Sequence, residues 1–237
     1  MYDKMLLRVM EAVMLREIRK KLVILDNRKP FTEEARVYLE EVEKIDWIYM
    51  NLKFTGSNLT KTDVETILQG ECILTASVND HIMIDILDNL RKLIYSCRDM
   101  QEDLCLKTLD KIYGIITQGK EQKMPINAEI DSELKKLFRW LSDDMENMDP
   151  IKRAAEIHNR LIWIFHFDEY GELVARTAMF YYLVRLGLPI CNLNFSYKEY
   201  CQITMDYLRT QKDEILYNGL IRFIYNKLEV MLQVTNY

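Results

Sequence analysis

Apolar residues recur along this chain in steps of three and four. Ala35, Tyr38, Val42, Ile45, Tyr49 and Leu52 form one stripe, with the period of an amphipathic helix. Thr32 stands where that helix would be capped, and Glu33 and Glu34 follow in a first turn whose dipole favours acids. An earlier helix is expected over residues 3–25, closed by "DNRKPF". The long helix breaks at "FTGSNLT"; Thr60 or Thr62 then starts a short helix that Gly70 ends. Further helices are expected over 80–98, 101–118 and 127–146. Asp149 as N-cap with Pro150 at the first helical position opens a helix over 150–166. The next spans 172–187, ended by Gly187 and Pro189, and two more occupy 195–211 and 213–232. "ECILTASVN" reads as a loop or a single short strand. "GKEQKMPINAE", residues 119–129, reads as a solvated link, with a lid beside a site as the rarer alternative. The expected fold class is all-α. The helices at 150–166 and 172–187 are expected as antiparallel neighbours at its centre, because both are apolar over most of their surface.

Composition agrees with this picture. Gly (7) and Pro (4) are scarce among 237 residues, 49% are hydrophobic and 29% charged, which suits a globular helical domain. The longest apolar run, Ala178 to Val184, is too short to span a bilayer, so no membrane is expected. The N-terminal "MYDKMLLRVMEAVMLREIRKKL" mixes acids with apolar residues and does not read as a signal peptide. A net charge of −5 without a basic patch beyond "REIRKKL" argues against nucleic acid. The five cysteines show no CxxC, so disulfides and zinc are not expected and a cytoplasmic setting fits. Delivery into a host cell stays open.

Candidate chemistry concentrates in "FDEYGEL", a loop between the two apolar helices. It carries three acids, one glycine and no basic residue. The segment "AAEIHNRLIWIFHFDEYGELVARTAMFYYLVRLGLP" resembles the core of Fic domains, whose active members carry H-P-F-x-[D/E]-G-N-G-R between two helices. A His commonly lies seven residues before the motif His, and a second Arg three after the motif Arg. His158 fits the upstream His, which places Phe165 at the catalytic His position. Phe167 matches the motif Phe, Glu169 the acidic position, and Arg176 the second Arg. "DWIYMNLKFTGSNLT" is similar to a W-I-x-x-x-S-x-x-x-E-G-N-x-L-T segment that regulates relatives, and "DILDNLRKL" to the stretch that usually follows it. The likeness runs from about residue 45 to 232. It implies a Fic-like helical bundle (Fido fold) over 45–237, with an N-terminal helical extension over 1–44.

The departures fall on the chemistry. The resemblance makes the motif His a general base, and Phe165 has neither a proton to exchange nor a lone pair. Tyr170 and Glu172 replace both glycines of the phosphate-binding turn, Gly171 stands where Asn should be, and the motif Arg is Leu173. Asp168, Glu169 and Glu172 add like charge, and each close pair repels by about 1 kcal/mol even in water. In the regulatory segment the inhibitory Glu position is Thr55, before Gly56, and the Ser four residues earlier is Asn51. Thr55 and Leu173 read as the matched loss of two ion-pair partners. A register shifted by one residue would make His166 a rescue candidate for the base, at the expense of the matches at Phe167 and Arg176. On the residues alone His158 reads as a core histidine, His166 as a partly exposed loop histidine, and Arg176 as an ion-pair partner of Glu169 or Glu172.

The resemblance and its departures imply a Fic-like protein with a degenerate motif, inactive as an enzyme and acting by macromolecular binding. The alternative is a divergent Fic-type transferase, nucleotidyltransferase-like, that modifies a protein hydroxyl with AMP (AMPylation) or another phosphate-linked group. No cofactor or metal is expected, or ATP with Mg²⁺ if the chain is active. A protein partner is expected, and a homodimer is open.

Overall fold

The structure, a computed structural model, describes residues 2–100, 102–119, 124–143, 148–211 and 214–236, with side chains left aside at 2–8 and 97–99. Ten helices make up its regular structure: α1 (Tyr2–Asn27), α2 (Glu33–Phe54), α3 (Lys61–Leu68), α4 (Val78–Met100), α5 (Leu106–Ile116), α6 (Ala128–Asp143), α7 (Pro150–Ile164), α8 (Gly171–Arg185), α9 (Tyr197–Thr210) and α10 (Glu214–Val234). Among the described residues there is no strand, and "ECILTASVN" is turn and coil before α4. No described helix is long and apolar enough to cross a membrane.

Local chemistry sets the helix starts. Thr32 accepts from the Ala35 amide, and Thr60 and Asp63 form a capping box at α3. Asp149 accepts from the Ile151 amide, with Pro150 in the first turn of α7. Ser196 and Glu199 form a second capping box at α9. One expected start needs correction. The helix expected from residue 101 begins at Leu106, because 102–105 lie outside any helix and Cys105 stands at its N-cap. The end of the helix expected to 146, and the middle of the 119–129 link, fall outside the described residues.

The α2 stripe also differs. Tyr38 is exposed and Val42, Ile45 and Tyr49 are only half-buried, whereas Ala35, Leu39, Glu43, Trp47 and Asn51 face inward. The core-facing row steps by four through an acid and an amide, which apolar periodicity cannot register. The Tyr95 hydroxyl donates to the buried Glu43 carboxylate.

The central pair is α7 and α8. Gly171, Leu173 to Tyr181, Leu183 and Val184 are all buried along α8, so the helix is enclosed nearly all round, as its apolar sequence requires. α4 and α5 pack against α8, while α6, α9 and α10 pack against α7. α1 lies along α10, tied by the Lys21–Glu229 ion pair and by Arg28 donating to the Leu232 carbonyl at 2.6 Å. The Trp47 indole donates to the Leu87 carbonyl at 2.8 Å, joining α2 to α4.

Candidate functional site

Between α7 and α8 the chain turns in six residues. Phe165 caps α7, and its side chain is 3% exposed, in the core. Its carbonyl accepts from the Asp168 amide at 2.9 Å, and the Asp168 carbonyl accepts from the Gly171 amide at 3.1 Å. Gly171 is required here by close approach: a Cβ on it would lie 2.4 Å from the Phe165 carbonyl oxygen. The loop is therefore a tight packed turn. Its base position is a buried hydrophobe whose backbone abuts the first residue of α8.

Asp168 anchors the turn. One carboxylate oxygen accepts from the Tyr170 amide at 2.8 Å, and the other from the Tyr113 hydroxyl of α5 at 3.0 Å. The Tyr113 and Tyr170 rings meet edge to face at 5.8 Å. Burial pushes the Tyr113 phenol upward, and the hydrogen bond to Asp168 reinforces this. The Tyr170 phenol is raised by its hydrogen bond to Glu169, then by burial. The chain's own carboxylate thus takes an amide next to the α8 N-terminus, a place where an anion would otherwise be held. Leu173 is buried and provides no charge.

The rescue candidate sits on the solvent side of this turn. His166 is exposed, and its Nδ1 bonds the Trp163 carbonyl at 2.6 Å. Its ring sits 3.7 Å from that of Phe167, which is 94% exposed, and 6.0 Å from Trp163, which is 41% exposed. Glu169 is exposed beside them. These three aromatics form a surface corner, while Phe165 turns inward.

Beneath the loop lies a buried polar network. Arg176 on α8 is 1% exposed. Its Nε donates to Asn51 Oδ1 at 2.9 Å, and Asn51 Nδ2 donates to the Trp47 carbonyl at 2.9 Å. The guanidinium lies 5.0 Å from each of the Phe54 and Tyr200 rings. Its Nη1 is 3.5 Å from Glu172 Oε2, an ion pair without a hydrogen bond, so this nitrogen is under-satisfied. His158, fully buried on α7, bonds Asn159 Oδ1 through Nδ1 at 2.9 Å. Its Nε2 meets the Tyr200 hydroxyl at 2.7 Å. With Asn159 Oδ1 as acceptor, Nδ1 carries the proton and Nε2 accepts from Tyr200. Burial lowers the His158 pKa from 6.5 to about 4, against the Asn159 hydrogen bond and with help from Arg176. Burial pushes the Tyr200 phenol up to about 12.

The segment from Trp47 to Gly56, similar to the one that regulates relatives, meets α8 through Asn51 and not through Thr55. Thr55 is exposed at the end of α2 and donates to the Leu52 carbonyl at 2.8 Å; Gly56 follows with a left-handed φ of 81°. A hydrogen bond between the two motif segments joins Asn51 and Arg176, 125 residues apart. Arg176 pairs with Glu172, one of the two acids expected, and not with Glu169. Tyr113, Phe54 and Tyr200 carry no local signal in the sequence and join the site only through the fold. Among the described residues no three His, Cys, Asp or Glu side chains cluster to hold a metal ion.

No protein-family model matches the chain. A 120-residue segment is 27% identical to "Protein adenylyltransferase fic-1" of Caenorhabditis elegans, covering 50% of this chain and 22% of that relative. The match thus spans about a fifth of the relative's length. Among solved structures, Fic-1 from C. elegans (residues 134–508) superposes with a TM-score of 0.74 at 16% identity, over 97% of this chain and 72% of that one. A Fic domain-containing signaling protein from Bacteroides thetaiotaomicron superposes with a TM-score of 0.74 at 18% identity, over 92% of this chain and 96% of that one.

Proposed function

Starting from the Fic fold of this chain, we propose that it is a Fic-fold protein that has lost nucleotidyl transfer and works by binding another protein. The observation that carries this reading is the turn itself. Phe165 is buried where the resemblance puts a base, its carbonyl presses on Gly171, and Asp168 has taken the Tyr170 amide. A triphosphate would meet Asp168, Glu169 and Glu172 without an arginine at position 173 to offset them. The residues present do not fit ATP with Mg²⁺. The binding half of the proposal rests on the corner of Trp163, His166 and Phe167. A phenyl ring that exposed is costly to hydrate and gains by being covered. The cytoplasm is the compartment proposed for this activity.

Two measurements test the reading. Incubated with labelled ATP and Mg²⁺, the unaltered chain should label neither itself nor added proteins. Labelling that His166→Ala abolishes would overturn the proposal in favour of a divergent transferase. A photocrosslinker at position 167, in the cell of origin, should give a discrete adduct that one at exposed position 38, on α2, does not. Equal adduct patterns at both positions would remove the binding half.

A further inference from the structure

A cavity of about 980 Å³ lies away from the α7–α8 turn. It opens between α1, the α1–α2 link, α2, α4, α10 and the segment after α8. Its walls are mainly apolar: Leu22 and Leu25 from α1, Phe31 from the link, Leu39 from α2, and Leu228 and Met231 from α10. Volume, an apolar lining and a few convergent polar groups are the ordinary attributes of a small-molecule site.

The polar groups are asymmetric in charge. Two acids on the lining are ion-paired, Asp26 with Lys29 at 2.6 Å and Glu40 with Arg36 at 2.9 Å; Glu43 accepts from Tyr95 and is the acid whose charge Lys227 and Arg91 attract. The remaining cations are Arg91, Lys92 and Lys227. Arg91 and Lys92 share Asp88, at 3.5 and 2.8 Å. Lys227 is half-buried and has no acid within ion-pair distance among the described residues. The lining therefore carries five cations, Lys29, Arg36, Arg91, Lys92 and Lys227, against three acids, in a chain whose net charge is −5.

We propose that this cavity binds a small amphipathic anion, an alkyl chain carrying one carboxylate, with the chain against Leu25, Leu39 and Leu228 and the head at Lys227 and Arg91. A neutral alkane would give Lys227 and Arg91 no partner beyond the Glu43 they already share, and an alkylammonium would meet them as like charges. The ligand would also bridge α1 and α2 to α4 and α10. Binding to the folded state alone then raises thermal stability by mass action. The proposal is independent of the α7–α8 turn and of the reading given to it.

The test is calorimetry on the full chain with sodium dodecanoate, kept below its micelle concentration, against dodecylammonium chloride. Dodecanoate should bind, dodecylammonium at least about tenfold more weakly, and Lys227→Gln should weaken dodecanoate by about tenfold or more. Lys227→Gln changes a half-buried side chain and should retain the thermal midpoint. If it does not fold, the comparison of the two head groups on the unaltered chain still decides. Absence of dodecanoate binding up to about 1 mM, equal binding of both amphiphiles, or unchanged affinity in a folded Lys227→Gln would each overturn the proposal.

Discussion

The α7–α8 hairpin and the side chains bonded to it form two contrasting regions. The inner part, His158 of α7 and Arg176 of α8, is polar, buried and bonded to Tyr200 of α9 and Asn51 of α2. The outer part, 165–173, has a hydrophobe, a tyrosine, an acid and a leucine at the four positions where the resemblance asks for base, glycines and arginine. The difference follows from solvation. Within the network, removing one partner leaves a buried charge or imidazole unsatisfied, worth about 1–3 kcal/mol, or more when it is ionised. In the loop, a catalytic side chain contributes little to stability and its replacement can be neutral or favourable. A chain no longer selected for transfer would keep the first region and lose the second.

The comparison is broken most forcefully at Phe165. If that residue has passed from the site to the core, Phe165→Ala should lower stability by about 3–5 kcal/mol in denaturant unfolding. A loss under about 1 kcal/mol would return Phe165 to the surface and to pocket duty.

The inner region has its own pH signature. His158 is neutral when folded, with its pKa at about 4 in place of 6.5. Between those values the unfolded chain binds more protons than the folded one. Stability is therefore full above the upper value and falls as pH drops through the window, by ~3 kcal/mol from this group. Denaturant midpoints of the native chain and of His158→Gln, compared near pH 7 and near pH 4.5, should show a smaller loss in the variant. Equal losses would mean that His158 titrates as in water.

Asn51→Ala sharpens the comparison with a smaller effect. It removes the acceptor of Arg176 Nε in a buried place, which should cost about 1–3 kcal/mol. Thr55→Ala, four residues on at an exposed position, should stay within about 0.5 kcal/mol. Equal effects would mean that the regulatory segment has lost its grip on α8.

Much of the fold could be read from local chemistry. Thr32, Thr60 with Asp63, Asp149 with Pro150, and Ser196 with Glu199 each carry a cap within four residues of sequence. The stripe through His158, Leu161 and Ile162 likewise runs on to Phe165, which is buried. The rest needed the third dimension. The α2 row is hidden by Glu43 and Asn51, whose burial depends on Tyr95 and Arg176 from distant helices. Tyr113 reaches Asp168 across 55 residues. Gly171 looked like a misplaced motif glycine, yet it is fixed by the Phe165 carbonyl beside it.

The central claim is that the turn at 165–173 has become a packed connection that rejects nucleotide. Calorimetric titration of the full chain with ATP and Mg²⁺ addresses it directly. The account predicts no saturable heat, or a dissociation constant weaker than about 1 mM, near −4 kcal/mol. A dissociation constant in the low micromolar range, about −8 kcal/mol, reduced by Glu169→Ala or His166→Ala, would contradict it and show a rebuilt site.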